Sequence, residues 1–283
     1  MALTFHTFKY LEKLKEKNFH FGETLTIGRL NNLIEKNDFK KLNILPSNEI
    51  YADKIMKDYF NLSSLNTLDY SSFEGADIIQ DLNIPLEDTK KQFDTILDFG
   101  TSEHIFNIIQ CFKNISDLCK LDGHIIHCLP ANNNCGHGFW QFSPELFFNI
   151  YREENGFIET EIFLINLFDK DNWYKVKKQQ KGERLELNSI EPLYLLVKTK
   201  KVGKNLFQKI NQSDYEYQWK NEKNSKKIDK NVLSIINKKV KDIFKTFLRK
   251  NIITKKIYVK FEKNRLHNKN NFRVNKNLEK KTI

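Results

Sequence analysis

The sequence predicts an α/β fold: a doubly wound, mostly parallel, seven-stranded sheet with helices on both faces, followed by a basic, partly helical C-terminal extension. Three observations carry this reading. Short apolar segments bounded by Gly and Pro alternate with segments of helical period. One of the short segments, FDTILDFG (93–100), is apolar enough to be buried on both faces, as strands of a covered parallel sheet are. Composition and charge also change abruptly just after the apolar run PLYLLV (192–197).

Taken in order, residues 7–17 place Phe8, Leu11 and Leu14 at helical spacing, and TLTIG (24–28) is a short strand ending at a glycine. Residues 47–60 open with a capping Ser47 and set Ile50, Ile55 and Tyr59 on one side, which predicts a helix. LNTLDYS (65–71) is a second strand with Asp69 near its end, and ADIIQDLN (76–83) is a third, closed by Pro85. After the fourth strand, residues 103–119 form a helical stretch, and GHIIHCLP (123–130) is a fifth strand stopped by Pro130. Residues 143–156 carry a full set of helix signals: Ser143 at the cap, Pro144 at the first position, Glu145 in the first turn and Gly156 past the end. FIETEIFLINLF (157–168) and EPLYLLVKTK (191–200) read as a closing antiparallel pair. Sheets of this kind bind ligands outside the carboxyl ends of their strands.

Up to residue 197 there are 21 Lys and Arg against 29 Asp and Glu, a net of −8; from 198 to 283 there are 26 against 7, a net of +19. All five Pro and nine of the ten Gly lie in the first 200 residues, so a domain over 1–200 and a Lys-rich extension over 201–283 are expected. The 283 residues, 40% hydrophobic with 23 Phe, exclude a disordered chain, because such side chains offset the entropy of ordering. No stretch approaches the roughly 20 apolar residues of a membrane span, and no secretory signal is read at the start. Cys111, Cys119, Cys128 and Cys135 contain no CxxC pair. A reduced, cytoplasmic protein is the expectation.

The order of these segments resembles the class I S-adenosylmethionine-dependent methyltransferases of the small-molecule type, a Rossmann-like family, over about residues 20–200. TLTIGRLNN (24–32) stands at the Gly-rich first loop, LDYS (68–71) at the end of strand two, and ADIIQDLNIPL (76–86) at the end of strand three. FDTILDFGTSEHIFN (93–107) is similar to the fourth strand and the Glu-His turn after it. ISDLCKLDGHIIHCLP (115–130) is similar to the passage into the fifth strand, and HGFWQFSPELFFNIYREENGF (137–157) to the segment after it. The resemblance implies S-adenosyl-L-methionine as cofactor. It gives Asp69, with Tyr70, a place at the ribose, and Asp81, with Leu82, a place beside the adenine. Phe99 and Gly100 would lie under the methyl donor. The chain departs from the family in its first loop, where Thr26 replaces an acidic residue and only Gly28 remains of the glycines. Arg29 in that loop could pair with the cofactor carboxylate through two hydrogen bonds.

Each of these residues also has a plain structural role open to it. Asp69 and Asp81 could cap turns, and Glu103 could stabilise a first helical turn. Asp98 sits inside an apolar run, where a solvated surface role is awkward, so it could point to the pocket or cap its strand end. His127, inside a strand, reads as structural. The polar loop PANNNCGHGFWQFSP (130–144) supplies Asn132, His137, Trp140 and Gln141 as candidate substrate contacts. His137 and His104 are the candidate general bases, since imidazole titrates near neutral pH. No tight Asp/Glu/His cluster is evident, so no metal is expected. The acceptor implied is a small molecule, with a sugar or a surface-polysaccharide precursor as one candidate.

Residues 231–252 place Val232, Ile235, Ile236, Val240, Ile243, Phe244, Phe247 and Leu248 at three- and four-residue steps, an amphipathic helix with a Lys-rich outer face. The favoured reading docks it on the first domain or on a second subunit of a homodimer. Nucleic acid and an anionic membrane surface are the less favoured partners of this basic tail. Three functions thus stand open: a methyltransferase, a methyltransferase-like module without catalysis, and a nucleic-acid-binding protein using the tail.

Overall fold

The computed structural model describes residues 1–87, 91–178, 185, 189, 191–204, 207, 210–222 and 272–274. The chain divides into two compact units: Met1–Val176 with Glu191–Ile210 and Val274–Ile283, and Lys177–Ile190 with Asn211–Arg273.

The first unit opens with β1 (Ala2–Leu3) and α1 (Phe5–Glu16). A capping box fixes the entry to α1: Thr4 Oγ1 accepts from Thr7 N, and Thr7 Oγ1 accepts from Thr4 N at 2.8 Å. The three expected apolar positions, Phe8, Leu11 and Leu14, are all buried. Then come β2 (Glu23–Ile27), β3 (Asn31–Asn32), α2 (Lys36–Lys41) and α3 (Asp53–Phe60). The helix expected from residue 47 thus begins at 53. Ser47 caps nothing: its Oγ accepts from Glu49 N in a local turn, and Tyr51 makes a β-bridge to Asn31 instead of a helical turn.

β4 (Ser64–Asp69), β5 (Ile78–Ile79) and β6 (Phe93–Asp98) follow, then α4 (Ile108–Leu118), β7 (Cys119–Asn132), α5 (Pro144–Ile150), β8 (Phe157–Asn166), β9 (Trp173–Val176) and β10 (Leu193–Lys201). The strand order is β9-β8-β10-β7-β6-β2-β4-β5. Neighbours from β7 to β5 pair in parallel, whereas β10 runs antiparallel to β7 and to β8, and β8 antiparallel to β9. The architecture is therefore mixed α/β, and the closing antiparallel pair is β8 with β10. The expected count of seven strands omits β9.

Alternation along β7 separates the two faces. Ile126 and Cys128 belong to the apolar cluster that contains Phe8 and Leu11 of α1 and Met56 and Phe60 of α3. His127, between them, packs on the other face against Phe112 of α4 and Phe147 of α5. Helices thus cover both faces. The chain enters the sheet centrally at β2, steps outward through β4 to β5, and returns to the other side at β6. This reversal leaves a crevice beyond the carboxyl ends of β2 and β6.

In the second unit, Ser213–Glu222 forms α6, in which Tyr215 stacks on Trp219 and Lys220 pairs with Glu216 at 2.7 Å. Phe272–Val274, of which Val274 already belongs to the first unit, is a short strand. The amphipathic helix expected at 231–250 lies outside the described residues. Among the described residues no helix is long and apolar enough to cross a membrane.

Candidate active site

Two glycines with left-handed backbone flank the crevice: Gly28 after β2, at φ +74°, and Gly100 after β6, at φ +101°. Gly28 N–H donates to Leu68 O at 2.7 Å, which sets the first loop level with Asp69 at the end of β4. The Met1–Leu3 segment enters here. Ala2 N–H donates to Phe99 O at 3.0 Å, β1 pairs with β3, and the Met1 thioether lies where a Cβ on residue 28 would stand. A cavity of about 470 Å³ continues from this point, with Phe99, Gly100, Glu103, Cys128, His137 and Tyr194 in its wall. A larger hollow of about 680 Å³ lies between Asn43–Glu49 and α3, away from the strand ends. The smaller one is the candidate site, because it alone of the two contains a buried carboxylate without hydrogen bonds.

That carboxylate is Glu103. The turn carrying it is held from behind the sheet. Asp98, fully buried at the end of β6, accepts from Thr101 N at 3.2 Å and Ser102 N at 3.3 Å with Oδ1, and from Ser102 Oγ at 2.6 Å with Oδ2. Asp98 Oδ2 also meets His127 Nδ1 at 2.8 Å, and His127 Nε2 meets Tyr151 OH at 2.7 Å. These bonds wind Ser102–His104 into a single 3₁₀ turn, and a new helix starts at Ile108 with Asn107 as its cap. Asp98 therefore caps its strand end, and the helix expected over 103–119 is broken near its start.

From the other side, the 136–140 loop lies directly on Glu103. Phe139 N–H donates to Glu103 O at 2.7 Å, Trp140 N–H donates to the same oxygen at 3.2 Å, and a Cβ on Gly138 would sit 2.7 Å from it. The Glu103 side chain has no exposed surface, and neither carboxylate oxygen receives a hydrogen bond. His137 Nε2 stands 3.3 Å from Oε1, in a geometry that makes an electrostatic contact without a hydrogen bond. Burial, reinforced by the Asp98 carboxylate, pushes the Glu103 carboxyl up to about 8. The His104 ring lies 5.0 Å from that of His137, and the partial desolvation of this exposed residue together with that neighbour holds it below the ordinary imidazole range. Glu103, His104 and His137 thus bring one ligand atom each within 4.8 Å of the others, a cluster absent from the sequence reading because the fold assembles it from two loops.

The remaining expected residues divide. His137, Phe99 and Gly100 line the cavity. Arg29 does not; its guanidinium donates to both carboxylate oxygens of Asp53 and to Glu74 O, and stacks over Tyr51 at 4.0 Å, so it is not available to a ligand carboxylate. Asp81 is a turn cap, accepting from Asn83 N and Nδ2 at 2.8 Å each. Leu82 is buried, with its carbonyl accepting from Asn114 Nδ2, and Tyr70 is exposed. Asp69 accepts from Tyr70 N at 2.6 Å. Asn132 takes Leu193 N–H at 3.0 Å, Gln141 takes Asn134 N–H at 2.9 Å, and Trp140 Nε1 donates to Ile105 O at 2.9 Å. These three hold the loop that presents His137, and none of them lines the cavity. Sequence reasoning gave Glu103 only the first-turn role; the signal available was its adjacency to His104 right after a strand-end glycine.

No family model and no curated protein matches the chain. Among solved structures, the chain is similar to the N-methyltransferase NodS from Bradyrhizobium japonicum WM9, at 13% identity and a TM-score of 0.39, covering 70% of this chain and 96% of that one. An S-adenosylmethionine-dependent methyltransferase from Thermotoga maritima is 19% identical over 70% of this chain and 91% of that one, with a TM-score of 0.34. The 1,6-didemethyltoxoflavin-N1-methyltransferase from Burkholderia thailandensis, solved with S-adenosylhomocysteine, is 11% identical over 68% and 76%, with a TM-score of 0.37.

Proposed function

We propose that the chain is an S-adenosylmethionine-dependent methyltransferase acting on a small-molecule acceptor. The carrying observation is the crevice at the strand-order reversal, where two positive-φ glycines open into a cavity that ends on Glu103 and His137. The fit of this crevice to the methionyl part of the cofactor is supported by the chain itself, since the Met1 thioether already packs against Gly28. Asp69, level with Gly28 at the end of the neighbouring strand, is the proposed contact to the ribose. When bound, the cofactor would supply an electrophilic methyl group on a sulfonium.

The chain's own residues would then align and deprotonate. The cavity would hold the acceptor's oxygen or nitrogen in line with that methyl group, and the ring of His137 or His104 would take the acceptor's proton. Positioning supplies most of the rate in such a displacement. Exposed Leu33 and Ile50 beside the cavity suit an acceptor with an apolar portion next to its nucleophile.

Calorimetric titration of the full chain with S-adenosylmethionine and S-adenosylhomocysteine tests this reading. One-to-one binding that weakens at least about tenfold in Asp69→Ala is expected. Heat from neither ligand would overturn it in favour of a non-catalytic module, the reading that Met1 in the crevice and the engagement of Arg29 by Asp53 favour.

A further inference from the structure

The cluster of Glu103, His104 and His137 has a chemistry that methyl transfer does not require. One imidazole, His137, and the Glu103 carboxylate lie in the cavity wall, and a second, exposed imidazole, His104, stands beside them, with the three ligand atoms within 4.8 Å of one another. The Glu103 Oε1 to His137 Nε2 separation of 3.3 Å matches two ligands of one tetrahedral zinc ion, which with bonds of about 2.0–2.1 Å stand about 3.3 Å apart. His104 is exposed and His137 is half-exposed, so small ring movements can bring the third ligand in.

The second observation is the carboxylate itself. Glu103 is completely buried, aimed into the cavity, and lacks a hydrogen bond on either oxygen. A buried carboxylate in that state is costly unless a cation or a proton meets it. Among the described residues no Lys or Arg pairs with it; the groups near it are the His104 and His137 ring nitrogens and the Met1 amino group, which makes no hydrogen bond to it.

We propose that Glu103, His104 and His137 bind a divalent transition-metal ion of the zinc class. Two imidazoles disfavour magnesium and calcium, which take oxygen ligands, and favour zinc, cobalt, nickel or ferrous iron. Three protein ligands leave a coordination position open, and the cavity supplies access to it, as in catalytic rather than structural zinc sites. The site stands apart from the methyl-transfer reading, since it needs no cofactor. If both hold, an acceptor oxygen on the metal would lose its proton through coordination, and the two rings would serve as ligands instead of bases.

The test uses the full chain, stripped with a chelator and without S-adenosylmethionine. Zn²⁺ is titrated by calorimetry, and Co²⁺ by its visible ligand-field absorption. Saturable binding of one ion is expected, with affinity lowered at least roughly a hundredfold in Glu103→Gln, His104→Ala and His137→Ala and with the Co²⁺ bands of a four- or five-coordinate site lost. Glu103→Gln keeps the shape of a side chain that makes no hydrogen bonds, so it is the variant expected to fold unchanged, and thermal melting without metal checks this. No saturable binding by the unaltered chain overturns the proposal. So does wild-type affinity in Glu103→Gln together with His137→Ala, which would place the ion elsewhere.

Discussion

Glu103 makes the clearest pH prediction. Its carboxyl titrates near 8 in the folded chain against 4.5 in the unfolded one. Between those values the folded state holds a proton that the unfolded state has released, so stability falls as pH rises from about 4.5 to about 8 and is flat for this group outside that window. His6 and His124, pushed by burial down to about 4, act in the opposite sense and weaken the fold as pH falls below 6.5. Denaturation of Glu103→Gln beside the unaltered chain isolates the first effect: the variant should lack the loss, worth up to a few kcal/mol. Identical pH profiles would show that Glu103 is not buried in this way. Asp98 has the larger structural part. Asp98→Ala should cost about 3 kcal/mol in chemical denaturation, because it leaves His127 and the Ser102 hydroxyl buried without their partner. The sequence showed that an Asp inside an apolar run needs a reason, but not which reason; that depended on His127, whose side chain meets Asp98 only once β6 and β7 are in register.

At the scale of the element, most of the sheet was legible because strands that fill a covered sheet leave dense apolar runs between glycines and prolines. β5 is shorter than ADIIQDLN predicts: Ile78 and Ile79 pair with β4, Asp77 N and Gln80 N bond to Thr67 O and Asp69 O on either side of them, and Asp81 then closes its own turn. The 103–119 stretch shows the converse limit. Its helical period is real from Ile108, but the Asp98 carboxylate competes for the N–H groups of Thr101 and Ser102 and shapes a separate turn. That turn and the 136–140 loop meet at Gly138. Gly138→Ala should destabilise by roughly 1–3 kcal/mol, because φ +76° is strained for alanine and its Cβ would press on the Glu103 carbonyl. Ligand affinity at the cavity should fall along with it. A variant of wild-type stability would mean that the loop sits elsewhere in solution.

For the whole first unit, the governing feature is the crevice shared between β2 and β6 and the Met1–Leu3 segment lying in it. A ligand that takes the place of the Met1 side chain binds only the fraction of molecules in which that side chain has left. A chain lacking Met1 should therefore bind S-adenosylhomocysteine more tightly, about tenfold if nine molecules in ten hold the side chain in place, as read by calorimetry. Unchanged affinity would show that the two do not compete. Nothing in the pattern of residues 1–5 announced this, because the segment's position depends on the pairing of Ala2 and Leu3 with Asn31 and Asn32.

The line of contacts from Asp98 through His127 to Tyr151 crosses from the turn below Glu103 to the end of α5. It acts as a tie-rod through the interior, so the pitch of that turn is set partly by how a tyrosine sits behind the sheet. Repacking around Tyr151, far from any ligand, would then retune the chamber without altering a single one of its wall residues.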